Sequence, residues 1–573
     1  MALEGNWRPG ESAGRRGMNR RTFLGVSGAS AAAVIFGAGA FTERAVAQPK
    51  TPASMFSLGI ASGDPLADGV VIWTRLAPEP LEGDGMPGRK VPVRWEVAED
   101  ESFRKVARRG TAFARPEMGH SVHVEVEGLR PAREYFYRFK AGPETSPAGR
   151  TRTAPEPGAS LSKLTFAYAS CQQYEHGYYT AYRHMAEEDL DLVLHLGDYI
   201  YEYGPNEYVS PTGNVRDHKG PEIRTLEDYR NRHAQYRTDE DLQAAHAAFA
   251  WVVTWDDHEV DNNWADEDPE EISSDTREEF LRRRAAGFKA YYEHMPLRKT
   301  SVPRGIDMQL YRRIAYGDLA EFNVFDTRQY RDDQASGDGI KPPNPAQRDP
   351  SRTLTGQAQE KWLFEGLSAS RARWNILAQQ VFFAERDFSP GAAETFSMDS
   401  WDGYLGSRDR ITRFIEERGV RNPVVLTGDV HANWAANLKS DYDDPDSATI
   451  GTEYVATSIT SGGDGSDQRA DTAEILAENP HIKFFNDKRG YVRCTLSPDE
   501  LRTDYRIVQY VTRPGSPVST RASFVTEDGS PGARQVSGEQ TGRRSLAVES
   551  PLTEQDRLEA QRIAGRRSQS RNR

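Results

Sequence analysis

The sequence lacks the features that define several large classes of protein. Its 573 residues include only two cysteines, Cys171 and Cys494, which excludes a disulfide framework. A Gly-X-Ser-X-Gly motif is absent, so nothing indicates a serine nucleophile on a strand-to-helix turn. The weakly apolar stretch at residues 29–41 is too short, and too rich in alanine and glycine, to indicate a permanent membrane span.

The chain also lacks the excess of positive charge that is typical of nucleic-acid-binding proteins. Its formal net charge is −13, and without residues 1–47, which contain six arginines and three glutamates, it is −16. Because phosphate backbones are bound by clustered lysine and arginine, we expect no nucleic-acid-binding role. Such an acidic chain can instead hold cations where its carboxylates converge.

The first 47 residues are typical of a twin-arginine signal peptide. A paired arginine is followed by an apolar residue in NRRTFLG at 19–25, then come the weakly hydrophobic residues 29–41 and the small residues AVA at 45–47. A chance basic cluster is the alternative, but the order of the three regions favours the signal. We therefore expect a secreted, extracytoplasmic or cell-wall-associated protein that uses the Tat export machinery, a route that suits proteins folded around a metal before export.

Length and residue pattern divide the remaining chain into two domains and a tail. Residues 51–157 contain short alternating apolar runs separated by Gly, Pro and Asp, which predicts an N-terminal β-sandwich domain. In residues 160–530 apolar strands alternate with helical stretches, which predicts an α/β domain whose sheet is covered by helices. Residues 534–573 form a basic C-terminal tail with a possible short helix. The polar stretch at 331–355 is predicted to be a long loop.

Three predicted strands of the α/β domain end in an acidic residue. The segment DLVLHLGD ends at Asp198, AWVVTWDD ends at Asp256 and Asp257, and PVVLTGD ends at Asp429. A single aspartate after a strand is more often a helix N-cap or a turn residue. Since the carboxyl ends of strands in α/β proteins gather at one ligand site, three such acids in one domain predict a shared site.

Other metal-binding groups accompany these acids. Tyr201 follows Asp198 by three residues, His258, Asn262 and Asn263 follow the aspartate pair, and His431 follows Asp429 by two. Oxygen ligands with a few imidazoles suit hard cations such as calcium and ferric iron. The sequence therefore predicts a site for two or more metal ions.

Several segments resemble those of one enzyme family, the PhoD-type alkaline phosphatases, which are similar to secreted enzymes once called phospholipase D. The segments are ASCQ (169–172), HLGDYIYEY (195–203), WDDHEVDNNW (255–264), FDTRQYRDDQ (325–334) and GDVHANW (428–434). Further similarity in SLGIASGDP (57–65), GLRPAREYFYRF (128–139) and NDKRGYVRC (486–494) extends the resemblance over nearly the whole mature chain.

The resemblance implies a fold, a reaction and a set of metals. The fold is a four-layer αββα metallophosphoesterase (calcineurin-like) core with an N-terminal fibronectin-like β-sandwich domain. The implied protein is a secreted monomeric alkaline phosphatase, which releases inorganic phosphate from phosphomonoesters, and from phosphodiesters, by metal-activated water. One Fe³⁺ and two Ca²⁺ are implied, with small phosphate esters, phospholipids or cell-wall phosphodiesters as substrates.

The same resemblance implies residue roles, carried over by motif. Ferric iron is expected on Cys171, Asp198 and Tyr201, and calcium on Asp198, Asp257, Asn263, Asp429 and His431. Asp256, His258 and Asn262 remain alternatives. The catalytic residues expected from the resemblance are Asp198, Asp257, Asn263, His431 and Arg328.

Two of these residues also have a plain structural interpretation. A buried core cysteine would explain Cys171, although thiolate and phenolate both stabilise ferric iron and lose their protons beside a cation. Arg328 follows an apolar strand and either donates two hydrogen bonds to phosphate or forms a salt bridge with a neighbouring aspartate. Cys494, in an apolar strand, is predicted to be a core residue.

Two other functions are compatible with the sequence. One is a phospholipase D or teichoic-acid-type phosphodiesterase that uses the same metals. The other is a non-enzymatic cell-surface binding protein whose β domain recognises a ligand, a hypothesis that requires the set of metal-binding acids to be incomplete.

Overall fold

A computed structural model describes residues 54–270 and 275–538. The predicted signal peptide (1–47) and all but the first residues of the predicted tail (534–573) lie outside the described residues. The described residues all fall within one compact unit. Among them, no helix is both long enough and apolar enough to cross a bilayer.

The largest sheet has ten strands and includes both the first and the last strand of the described chain. From one edge to the other they are β24 (Ser530–Gly538), β23 (Val518–Glu527), β22 (Glu500–Val508), β21 (Gly490–Leu496), β9 (Leu164–Ala169), β10 (Leu192–Leu196), β11 (Ala250–Thr254), β1 (Ile60–Leu66), β2 (Gly69–Arg75) and β5 (Ser121–Val126). The three central strands β9, β10 and β11 are parallel and buried throughout, as expected of strands covered on both faces.

A second sheet of seven strands packs face to face with the first. Its order is β12 (Arg312–Tyr316), β13 (Ala320–Val324), β15 (Trp374–Ala378), β17 (Pro423–Thr427), β19 (Thr449–Val455), β18 (Asn433–Lys439) and β20 (Ile482–Asn486). Phe166 and Leu194 of the large sheet share one buried cluster with Phe322, Ile376 and Leu426 of the second. The predicted core residue Cys494 is in this cluster and is fully buried. A two-stranded ribbon pairs β14 (Ile340–Lys341) with β16 (Phe396–Ser397).

Helices cover the outer face of each sheet. Those beside the ten-stranded sheet are α1 (Thr180–Glu187), α2 (Leu226–Arg237), α3 (Glu240–Ala248) and α4 (Arg277–His294). Indole N–H groups connect the layers, since Trp251 of β11 donates to Ala245 of α3 at 3.1 Å and Trp73 of β2 donates to Glu293 of α4 at 3.0 Å. The helices of the other side are α5 (Gly356–Ala369) and α6 (Leu405–Arg418), and α7 (Thr472–Glu478) packs beside β20. The described layers are thus helix, sheet, sheet and helix.

A third sheet of five strands lies beside the second sheet on the same face of the large one. It contains β4 (Val106–Ala114), β3 (Val91–Ala98), β6 (Glu134–Ala141), β7 (Glu144–Thr145) and β8 (Gly149–Arg152). Its apolar side chains, among them Val97 and Tyr137, pack on Ile72 and Val124 of β2 and β5. Residues 51–157 therefore form two packed sheets, but one of them continues into the α/β region, because β1 pairs in parallel with β11 at Ser62 and Ala250.

The segments predicted to be irregular differ in two places from the structure. The stretch 331–355, predicted to be a loop, contains β14 and a short 3-10 helix at Pro345–Arg348. The tail predicted from residue 534 begins inside β24, which continues eight residues beyond 530, the predicted end of the α/β domain. The sequence of β24, SPGARQVSG, has turn residues and no alternation, and such a pattern is tolerated because β24 is an edge strand.

Candidate active site

The predicted metal-binding residues lie just beyond the ends of parallel strands that meet at one cleft. Cys171 follows β9, Asp198 follows β10, Asp257 follows β11 and Asp429 follows β17, each by two or three residues. The backbone N–H of Cys171 donates to Gly197 at 3.1 Å. A parallel bridge between Ser170 and Ser458 connects the ends of the two large sheets. The side chains are therefore held by backbone contacts between the sheets.

A first group of metal-capable atoms contains Cys171, Asp198 and His431, whose donor atoms all lie within 4.8 Å of one another. The Tyr201 hydroxyl completes this group, since it lies 2.8 Å from Asp198 Oδ2 and 3.2 Å from His431 Nε2. It is also 2.8 Å from Ser461 Oγ. The thiol, phenol, imidazole and carboxyl groups predicted from separate motifs are thus in mutual contact.

A second group shares Asp198 and adds Asp257 and His258, again with donor atoms within 4.8 Å of one another. The backbone N–H of Asn263 donates to Asp257 Oδ2 at 2.8 Å, and the Asn263 side-chain amide donates to Asp338 Oδ2 at 2.9 Å. All of these residues line the cleft. Asp198 belongs to both groups.

Asp429 and the opposite wall complete the cleft. Asp429 lines it together with His431 and Asn263. The wall beyond them combines arginine with aromatic side chains, namely Arg386, Arg469, Arg489, Phe388, Trp434 and Phe485. The cleft therefore has an acidic end that suits cations and a wall that suits an anionic or planar substituent.

The acidic end is poorly neutralised by the protein itself. Burial raises the pKa of Asp198 and of Asp429 well above the usual carboxyl value, and Asp256 and Asp257 add to the effect on both. Burial also raises the pKa of the Cys171 thiol and of the Tyr201 phenol, and the Asp198 carboxylate raises both further. Since a cation favours the ionised form of every one of these groups, the donor set fits a metal centre.

Orphaned oxygen atoms give a second test of that fit. Asp198 Oδ1 and Asp257 Oδ1 are buried and have no hydrogen-bond partner among the described residues, although Arg328 Nη2 lies 3.8 Å from the latter. Buried carboxylate oxygens are normally hydrogen-bonded or bound to an ion. Oxygen atoms that point into the cleft without a donor are what a hard cation requires.

Five of the seven predicted metal ligands have a left-handed backbone. The φ angles are 58° for Cys171, 54° for Asp198, 47° for Asn263, 62° for Asp429 and 53° for His431. Each such non-glycine residue costs about 1 kcal/mol or more and persists only where its surroundings enforce it. The turns at the strand ends are therefore built to aim side chains into the cleft.

Arg328, predicted as a catalytic residue, is not among the described residues that line the cleft. Its guanidinium is fully buried and bonds Asp256 at 2.5 Å and both oxygens of Asp399 at 2.9 Å. Three carboxylates, counting Asp257, keep the pKa of Arg328 high even though burial opposes this. With its donors engaged in this way Arg328 positions the aspartates, as in the salt-bridge alternative given above.

Two residues of the WDDHE segment matter more than the sequence indicated. His258 was only an alternative ligand, yet it lies beside Asp198 and Asp257 while its Nδ1 is 2.8 Å from Glu202. Glu259 accepts hydrogen bonds from the backbone N–H groups of Tyr199 at 2.6 Å, Asp256 at 2.9 Å and Asp198 at 3.2 Å. The sequence indicated Glu259 only as a further carboxylate after an apolar strand. Its role could not be predicted, because its three partners lie after two different strands, β10 and β11.

Comparison with known proteins agrees with this geometry. The family model described as PhoD-like phosphatase matches residues 166–505, and the model of the N-terminal domain of PhoD-like phosphatases matches residues 42–155. The chain belongs to the PhoD-like phosphatase family. It is similar to alkaline phosphatase D of Bacillus subtilis (strain 168), with 59% identity over 525 residues, which cover 92% of this chain and 88% of that protein.

A solved structure gives the same result for this PhoD-like phosphatase. The structure of PhoD matches with a TM-score of 0.87 at 59% identity and covers 92% of this chain and 100% of that one. The chain is therefore a phosphoric ester hydrolase of the alkaline phosphatase type with a mixed α/β fold. These findings confirm the family and the enzyme class predicted from sequence, and they remove the support for a non-enzymatic binding protein.

The role of Glu259 yields a test of how the site is held. In Glu259→Gln one oxygen becomes an N–H donor that faces a backbone N–H, so at least one buried donor is left without an acceptor. The expected loss is about 1–3 kcal/mol of unfolding free energy per unsatisfied donor, measured by urea denaturation. Glu365→Gln, at an exposed position, is the matched control. Equal stability of the two variants would show that Glu259 does not hold the strand ends.

Proposed function

We propose that this PhoD-like phosphatase is an exported, metal-dependent enzyme that binds one ferric ion and two calcium ions. The supporting observation is the contact among Cys171, Asp198, Tyr201 and His431, which puts thiolate and phenolate donors beside a carboxylate. Such donors suit ferric iron, whereas the carboxylate and amide oxygens nearby suit calcium. The metal ligands in this proposal are Cys171, Asp198, Tyr201, Asp257, Asn263, Asp429 and His431.

The chemistry follows from what surrounds the reacting phosphate. When bound, the metal ions would neutralise phosphate charge and would lower the pKa of a water molecule for attack on phosphorus. Asp198 would help to hold the ions in both groups of donors, because both groups share it. Arg328 holds Asp256 and Asp399 in place, so that Asp257 is free to face the cleft.

His258 is the residue best placed to give a proton to the leaving alcohol. It lines the cleft beside Asp198 and Asp257, and Glu202 holds its Nδ1 at 2.8 Å. A carboxylate bonded to one ring nitrogen fixes the orientation of the other. Glu202 also accepts the backbone N–H of Asn262 at 2.9 Å, which ties the histidine to the Asn263 loop.

The wall opposite the ligands supports a substrate that carries more than a bare phosphate. Arg386 lies over the rings of Phe388 and Trp434, at 4.4 and 5.3 Å, and all three line the cleft. A cationic and aromatic wall can hold the alcohol part of an ester or a second anionic group. We therefore include phosphodiesters, together with small phosphomonoesters, among the proposed substrates. The fold that we propose for the enzyme is the four-layer metallophosphoesterase fold.

Activity of the purified protein tests metal dependence directly. Asp198→Asn removes a charge from both groups of donors, and we expect a loss beyond the ~10–100-fold that even outer-shell changes cause. Release of phosphate from a chromogenic phosphomonoester and a chromogenic diester at alkaline pH is measured with and without a calcium chelator. Asp409→Asn, at an exposed site of α6, is the control. Turnover that survives both the chelator and Asp198→Asn would contradict the proposal.

The iron position has a spectroscopic test that does not depend on turnover. Because a tyrosinate bound to ferric iron absorbs visible light by charge transfer, the loaded protein should be coloured. Tyr201→Phe should abolish the band while Tyr510→Phe, at a position outside the cleft, leaves it unchanged. Iron content is measured on the same samples. A colourless wild-type protein that contains stoichiometric iron would rule out Tyr201 as a ligand.

Export rests on the sequence of the first 47 residues. Replacing the arginine pair, Arg20→Lys with Arg21→Lys, should keep the phosphatase in the cytoplasm, since the twin-arginine route reads this pair. Fractionation followed by immunoblotting compares this variant with one in which Arg15 and Arg16 are changed to lysine. Equal export of both variants would leave the twin-arginine assignment without support.

A further inference from the structure

One exposed face of the five-stranded sheet carries a charge opposite to that of the whole chain. In β3 and β6 alternate side chains, such as Val97, Tyr137 and Phe139, are buried against β2 and β5. The side chains between them face outward. We call the outward cations of this region the basic sheet face, which consists of Lys90, Arg94, Arg109, Arg138 and Lys140.

Strand register places these cations in two neighbouring rows. Arg94 lies opposite Lys140 of β6 on one side and Thr111 of β4 on the other. Two residues along the strand, Glu96 lies between Arg109 and Arg138. Lys90 joins the same face, since its Nζ lies 4.9 Å from the ring of the exposed Phe113.

The carboxylates of the face satisfy only part of its charge, and one of them, Glu134 of β6, pairs with Arg150 of β8. Glu96 lies 2.7 Å from Arg138 and 3.4 Å from Lys140. Within residues 54–270 and 275–538, Lys90, Arg94 and Arg109 form no ion pair. Arg94 and Arg109 are also exposed. Three cations thus remain available to an external anion.

Ordinary surface requirements do not account for this arrangement. Charged residues on an edge strand protect it from pairing with other chains, which explains Arg109 of the edge strand β4. They do not explain Arg94 of β3 or Lys140 of β6, which lie on inner strands. Directly opposed like charges such as Arg94 and Lys140 destabilise a sheet, so this pair costs stability that a ligand could recover.

We propose that the basic sheet face docks a phosphodiester-linked polymer and keeps it near the enzyme. Guanidinium forks match the paired oxygens of phosphate, and rows about 7 Å apart, two residues along a strand, can meet successive charges of a polymer. The choice of a phosphate polymer rests on the proposed function, in which phosphodiesters are substrates. Binding at a second site raises the effective concentration of such a substrate at the cleft.

A binding experiment separates docking from catalysis. The probe is synthetic poly(glycerol phosphate) attached to a surface, and the protein carries Asp198→Asn so that the polymer is not cleaved. Arg94→Gln with Arg109→Gln removes two available cations. The control, Arg371→Gln with Arg413→Gln, makes the same change of net charge at exposed positions outside the basic sheet face.

The expected result is weaker binding with a lower salt dependence for the basic-face variant alone. Each lost phosphate contact should reduce the slope of log K against log salt by about 0.7 for a single-stranded chain, and affinity should fall by about tenfold or more. In the active background, kcat/KM for a small chromogenic monoester should match the wild type, which also shows that the variant is folded.

Three outcomes would overturn the docking proposal. They are no binding of the polymer to the parent protein, equal effects of the two double variants, and equally tight binding of polygalacturonate of the same length, whose charges are carboxylates. Failure of the proposed function is seen separately, because hydrolysis of a small diester is measured without the polymer. If the protein docks the polymer but does not cleave the diester, the docking site is supported, but the polymer is not a substrate.

Discussion

The constraint on which the rest of the structure depends is the crowding of buried anionic donors at the ends of two sheets. Asp198, Asp257 and Asp429 all project into one cleft with a thiol and a phenol beside them. Burial raises the pKa of Asp198 and Asp429 well above the usual carboxyl value, whereas His258 and Arg328 lower that of Asp257 even though burial opposes this. A cation would favour the ionised form of Asp198 and Asp429, so the donor set fits a metal.

The backbone around the cleft is adapted to this requirement. Left-handed turns at the strand ends point the ligands inward, and buried charged groups hold those turns. Glu259 accepts three backbone N–H groups from the ends of β10 and β11. Arg489 acts in the complementary way, since its guanidinium donates at 2.6 Å to the carbonyl oxygens of His431 and Ser461. The Ser461 hydroxyl in turn contacts Tyr201 at 2.8 Å. An acid and a base therefore fix the two sides of the site, and the base, Arg489, also lines the cleft.

The sequence was sufficient for the parts of this arrangement that are local. Apolar strands followed by Asp198, Asp257 and Asp429 could be recognised, because strand and ligand are neighbours in the chain and parallel strands end on the same side. Partners from distant segments could not be found in this way. Arg328 and Asp399, which bond to each other, are 71 positions apart in the chain. The paired residues of β1 and β11 are 188 positions apart. Periodicity describes one strand at a time, so it identified the strands of residues 51–157 without revealing which sheet they join.

The same difference between local and overall properties applies to charge. The net charge of −13 argues against a nucleic-acid partner. However, salt screens charges that are more than about 10 Å apart. A polymer at the surface therefore interacts mainly with the charged groups next to it. The basic sheet face is cationic whatever the cleft contains. The acidic end of the cleft, in contrast, would accept a phosphate only with the proposed metal ions bound. Docking and turnover therefore depend on separate charges: a metal-free molecule would still hold an anionic polymer through Arg94 and Arg109, and only the loaded centre could cleave it.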